Sequence, residues 1–188
     1  MARAQSQRRP AAAALSPRSE CHPAGRPKAD RRLTGSFSHR PLATDDLDVA
    51  SALHADAFAC LGERGWTRQE IVELLAAPGV AGILVQSDEE TIGLALCRIA
   101  ADEAELLTIA VRADHRRQGA GAALLRLVLA LVREHGARHL FLEVGADNLA
   151  ALHLYRQAGF EAVGQRPGYY SRPERKVADA IVMRLVLD

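Results

Sequence analysis

At 188 residues, with 48% hydrophobic, 25% charged and 4% aromatic positions, the chain has the length of one ordinary domain plus an appendage. That composition is expected of a soluble globular protein, not a disordered, collagenous or membrane one, and no apolar run reaches the roughly 18 residues a spanning helix needs. The net charge of +1 conceals an asymmetry: residues 1–40 hold nine Lys/Arg against Glu20 and Asp30, leaving 15 basic and 21 acidic residues beyond, without the positive excess that holds a nucleic-acid backbone.

Residues 1–35, rich in Arg, Pro, Ala and Ser, show no periodicity and are expected to form a disordered basic tail, since they bury too little apolar surface to offset ordering entropy. Arg8-Arg9 precedes only the short apolar stretch Ala11 to Leu15, too short for an export-signal core. The acid-poor, Arg-rich start also has the composition of an organelle transit peptide; the plainer reading is a dispensable tail or a misassigned start. Cys21, Cys60 and Cys97 are odd in number and contain no Cys-x-x-Cys, so neither a disulfide framework nor a cysteine zinc site is encoded, and a reducing, cytoplasmic setting is expected.

The domain is expected over 36–188. A short strand near Ser36 is followed by a helix that Asp45 or Asp46 can cap, running to about Ala59 with Leu47, Ala50, Leu53, Ala57 and Phe58 inward. Thr67-Arg68-Gln69-Glu70 is a capping box opening a second helix, with Ile71, Leu74 and Leu75 as its apolar stripe and Pro78-Gly79 as its stop. Runs near Gly82–Gln86 and Thr91–Ile99 read as a hairpin, and Glu105–Val111 extends the meander. A long helix carries Leu124, Leu125, Val128, Leu131 and Val132 at helical spacing and stops at Gly136. Then come a strand Leu140–Val144, a helix from about Asn148 to Gln157, a strand Phe160–Gly164, a Pro/Gly/Tyr loop and a strand Ala180–Leu187. The order β-α-α-β-β-β-α-β-α-β-β predicts an α/β fold, a mixed central sheet with helices on both faces.

Between Val111 and the long helix lies His115-Arg116-Arg117-Gln118-Gly119-Ala120-Gly121. A helix start offers unpaired amides and a positive dipole end to an anion, Gly119 and Gly121 let the main chain approach closely, and Arg116 and Arg117 can add charged hydrogen bonds. The loop fits neither common nucleotide pattern. Taken alone it reads equally as a solvated Arg/Gly-rich turn. His115, His135, His139 and His153 lack metal-ligand spacing, so no metal is expected.

Arg116 to Gly121 resembles the acetyl-CoA motif of the GNAT superfamily of N-acetyltransferases. Leu142-Glu143-Val144, Asp147-Asn148, Ala151, Leu154-Tyr155, Ala158-Gly159-Phe160, Gly168-Tyr169-Tyr170 and Asp179-Ala180 follow with the order and spacing of its RimI-type ribosomal-protein alanine N-acetyltransferases. The resemblance covers roughly residues 37–187. It implies a GNAT fold splayed between its two central strands, and direct acetyl transfer from acetyl-CoA to an amine. Ile109, Ala110 and Val111 would form the cofactor strand, Arg117, Gln118, Gly119, Ala120, Gly121 and Ala122 the pyrophosphate loop, and Asn148 would bond the pantetheine arm. All these motifs lie beyond Gln86, so cofactor binding is expected without the tail.

Glu143 matches the general base and Tyr155 the general acid, while Tyr169 and Tyr170 lie in a loop that closes over the acceptor peptide, a ribosomal-protein N-terminus. Each has a plainer reading: an ion pair of Glu143 with Arg138, core packing for Tyr155, and a sheet-end cap for the tyrosine pair. Gly145 stands where the best-known members carry Arg, and Leu61–Trp66 replaces a tighter Pro-Trp segment whose place Trp66 can fill. Those departures bear on peptide selectivity. The competing functions are acetylation of a small amine such as a polyamine or aminoglycoside, and a non-catalytic acyl-CoA sensor.

Overall fold

Apolar alternation builds a single sheet whose two faces are covered by different helix pairs. The computed structural model describes residues 37–172 and 175–188, so the expected tail, with Cys21, lies outside the described residues. In chain order the elements are β1 (Ser38–Pro41), α1 (Leu47–Ala59), α2 (Arg68–Ala76), β2 (Val80–Ser87), β3 (Glu90–Ala100), β4 (Glu103–Val111), α3 (Ala120–Glu134), β5 (His139–Gly145), α4 (Leu149–Gln157), β6 (Glu161–Arg172) and β7 (Arg175–Val186). The strands lie in the order β1-β2-β3-β4-β5-β7-β6. Neighbours are antiparallel except β4 and β5.

Two irregularities at the same height open the sheet. Between β3 and β4 the register slips, so that Leu96 faces Thr108 and Cys97 faces Leu106, leaving Leu107 as an extra residue. Such a bulge bends and twists its strand. Beside it, the parallel β4–β5 ladder runs from Glu103/His139 to Leu106/Leu142 and ends there. β4 stays paired with β3 as far as Val111, and β5 stays paired with β7 as far as Gly145. The two central strands therefore part while each keeps its outer neighbour.

On one face, α3 and α4 bury Leu124, Val128, Ala151 and Tyr155 against Ile109, Val111, Leu142 and Val144. On the other, α1 and α2 bury Leu53, Phe58 and Ile71 against Leu84, Leu94, Leu96 and Ala110. The capping box forms, with Thr67 Oγ1 accepting from Glu70 N at 3.3 Å and Glu70 Oε2 accepting from Thr67 N at 2.7 Å.

Two local expectations are corrected. Asp46 does not cap α1; its carboxylate accepts from Ala43 N at 2.9 Å and closes the short 3-10 turn Thr44–Asp46 that precedes the helix. Hydrogen bonding from Arg40, at 2.5 and 2.7 Å, holds that carboxyl below its usual range. The Pro/Gly/Tyr segment expected as a loop is part of β6. Arg166 pairs with Ala180 and Tyr170 with Ala178, so four steps on β6 match two on β7, and this bulge accommodates Pro167 and Gly168 inside a longer hairpin.

Candidate active site

The turn 116–119 carries β4 into α3, with Arg117 at φ +62° and Gly119 at φ +90°. Gly119 is the N-cap of α3, and among the described residues no side chain caps the first-turn amides of Ala120, Gly121 and Ala122. A Cβ built on Gly119 would meet only Phe37, at 3.8 Å. Uncapped amides at the positive end of a 15-residue helix fit a pyrophosphate. Arg117 and Gln118 are exposed beside them, with Gln118 Nε2 donating to Asp114 O at 3.1 Å.

Arg116 departs from expectation. It turns inward, its Nη2 donating to Ala57 O at 2.9 Å, Nη1 to Cys60 Sγ at 3.0 Å and Nε to Val111 O at 3.2 Å. It ties the end of β4 to the end of α1 through one donor on each of its three nitrogens.

Ile109, Val111, Ala120 and Tyr155 share the core cluster on the α3/α4 face, whereas Ala110 points to the α1/α2 face. Tyr155 is fully buried and packs tilted against Phe160, ring centroids 5.6 Å apart. Asn148 is buried and caps α4, its Oδ1 accepting from Ala151 N at 3.2 Å.

Glu143 alternates with Leu142 and Val144, so it points to the sheet face opposite Tyr155. There it lines an open groove of about 270 Å³ with Arg98, Glu103, Glu105, Phe141 and Val182. The two candidate catalytic groups thus flank, from opposite faces, the place where β4 and β5 part. Glu143 forms an ion pair with Arg166, Nη1 to Oε1 at 2.8 Å, where Arg138 was expected. The Arg166 guanidinium also lies over the Tyr169 ring, 5.2 Å from its centroid, which links a candidate acceptor-binding aromatic to the candidate base. Tyr170 lies in β6, paired with Ala178.

Sequence reading passed over a buried polar network on the other side of the splay. His54 of α1 is 1% exposed and stacks between Phe58, at 4.1 Å, and Trp66, at 4.4 Å. Its Nδ1 accepts from Trp66 N at 3.0 Å, so in the neutral ring Nε2 carries the proton and donates to Thr108 Oγ1 at 3.3 Å. Burial pushes the imidazole down to about 3. The network ties the 61–66 segment to β4 beside the Leu107 bulge. Trp66, 6% exposed, faces this core and not a substrate surface.

The fold and the splay define an acyltransferase class, and residues 49–160 match the profile of the acetyltransferase (GNAT) family. The chain belongs to that family and is an N-acetyltransferase that uses acetyl-CoA. Among solved structures it resembles the ribosomal-protein-S18-alanine N-acetyltransferase of Escherichia coli, with TM-score 0.74, 29% identity, and 81% of this chain and 95% of that one covered. By sequence it is 41% identical over 91 residues to the ribosomal protein bS18-alanine N-acetyltransferase of Escherichia coli strain K12, a stretch covering 48% of this chain and 61% of that protein. A Bacillus subtilis protein provisionally given the same activity is 29% identical over 150 residues, 79% of this chain and 95% of its own length.

Among the described residues, no group of three or more His, Cys, Asp or Glu is placed to hold a metal ion. None of their helices is long and apolar enough to cross a membrane.

Proposed function

We propose that this enzyme acetylates the α-amine of an N-terminal alanine on a ribosomal protein, in the cytoplasm where ribosomes are made. One observation carries the reading: a largely shielded carboxylate, Glu143, its side chain 14% exposed, stands at the parting of the central strands and faces an open groove. The names of the relatives support the choice of acceptor. When bound, acetyl-CoA supplies the acyl group. The acceptor nitrogen would bond to the thioester carbon as the carbon–sulfur bond breaks, one of the two protons lost from the charged amine passing to Glu143 and the other ending on the departing sulfur. Protons must leave because an α-amine with a pKa of about 8 is mostly charged at neutral pH. Amides of Ala120, Gly121 and Ala122 would hold the pyrophosphate, and Ile109, Ala110, Val111 and Asn148 the pantetheine arm.

Tyr155 would bond the departing sulfur. A phenol near 10 is a weaker acid than a thiol near 8.5, so complete proton transfer is uphill by about 2 kcal/mol and hydrogen bonding to the thiolate is its larger contribution. Kinetics on an alanine-starting peptide separate the roles. Glu143→Gln should lower turnover by roughly 10² to 10⁴, with partial rescue at high pH where the amine is already neutral. Tyr155→Phe should slow the same step without that rescue. Full turnover by Glu143→Gln at pH 7 would remove the base; an unaffected pair of variants would favour the acyl-CoA sensor, and a small polyamine outperforming the peptide would favour the small-amine enzyme.

A further inference from the structure

The bulge in β4 puts two neighbouring residues on one face of the sheet. Leu106 and Ile109, three positions apart, lie in the core under α3 and α4, while Leu107 and Ala110, also three apart, lie in the core under α1 and α2. Regular alternation spaces the residues of one face by two. The extra residue leaves Thr108 beside Leu107 on the α1/α2 face, where its buried hydroxyl meets His54 Nε2 at 3.3 Å. The imidazole is held for that contact: its plane lies within 6° of Phe58 and 14° of Trp66, and Trp66 N occupies Nδ1, which leaves Nε2 for Thr108. A register one residue away would turn Thr108 into the apolar core under α3 and α4, and would bury Nε2 without this partner.

We propose that His54, through Thr108, is a positioning residue for acetyl-CoA: the pair fixes where β4 bulges, and so where the main chain of Ile109 to Val111 lies; this rests on that strand holding the pantetheine arm. Packing alone discriminates poorly between registers in the run Leu106 to Val111, since every residue but Thr108 is apolar and suits either core. A buried polar pair supplies the distinction, because only one register satisfies both groups. The place it marks is where the parallel ladder with β5 ends, at Leu106 and Leu142. His54 acts from behind the strand, on the face away from Tyr155.

Calorimetry with acetyl-CoA, at a temperature well below melting, reads the effect on folded protein without any acceptor. Thr108→Val keeps the side-chain shape and removes the hydroxyl; His54→Phe keeps a stacked ring and removes both nitrogens. Each should raise the dissociation constant about tenfold, the order of loss that a small misplacement of a binding strand brings. The double variant should also lose about tenfold and not about a hundredfold, because the two groups act as one unit. Thr108→Ser keeps the hydroxyl and should bind within about twofold of the parent. Unchanged affinity in either folded single variant, whatever its melting temperature, would reduce the pair to a structural role and overturn the proposal. Losses that multiply in the double variant, or a loss in Thr108→Ser as large as in Thr108→Val, would overturn it too. Amide exchange tests the underlying reading separately: acetyl-CoA should slow exchange at Ile109, Ala110 and Val111 in the parent protein. Slowing there with unchanged affinity in the variants would remove the proposal alone; no slowing with acetyl-CoA bound would take away the cofactor strand as well.

Discussion

The two ends of the site are made of different material. At the α3 end, the candidate pyrophosphate turn is main chain: uncapped amides, a glycine at φ +90°, and an arginine, Arg116, used to brace the turn against α1. At the β6–β7 end, the candidate acceptor side consists of side chains from separate strands, Glu143, Arg166, Tyr169 and Asp179. A main-chain site recognises what every acetyl-CoA shares and is encoded in a few consecutive residues. A side-chain site can change its acceptor one residue at a time without disturbing the cofactor.

The sharpest way to break this contrast is at Gly119. Gly119→Glu should weaken acetyl-CoA binding more than 100-fold by calorimetry, because a carboxylate would meet the pyrophosphate where amides should. Gly119→Ala carries the same positive-φ strain, about 1 to 2 kcal/mol, without the charge, and should keep binding within several-fold. If both variants lose binding alike, backbone strain and not charge is responsible.

A smaller effect tests the buried network. His54 has a folded-state pKa of about 3, below its ordinary 6.5, so its contribution to stability is complete above pH 6.5 and is lost as the pH falls towards 3. The slope can reach about 1.4 kcal/mol per pH unit. His54→Gln should therefore have a lower but flatter melting temperature between pH 6.5 and 4; a slope matching the parent would mean that the ring is not held neutral. The mildest change is Asn148→Ala, which should cost about 1 kcal/mol in urea denaturation through loss of the α4 cap. A drop in acetyl-CoA affinity beyond that cost would add a side chain to the main-chain end and blur the contrast.

How much of this was legible follows the same division. The Arg-x-x-Gly-x-Gly turn, the Thr67–Glu70 box and the helical stripes are local, and local patterns survive in the sequence as spacing. Proline and glycine made residues 167–168 look like a loop, because turn propensity is local while the bulge that absorbs them depends on the register with β7. Nothing local marks His54 as special, since its partner Thr108 is 54 positions away. Arg116 seemed to belong to the phosphate motif, but its bonds reach back 59 positions to Ala57. Chemistry assembled across the fold has no spacing by which to announce itself.

The parting of β4 from β5 has a further consequence, for solubility. Beyond Leu106 and Leu142 the facing edges of two strands leave their shared ladder, and an unpaired edge ordinarily invites a strand from another molecule and so aggregation. Peripheral strands are commonly blunted by charge or proline. Here the protection is placement: Leu107 to Val111 are all 9% exposed or less, under helices on both faces. That cover keeps the free edge of β4 from pairing with a strand of another molecule.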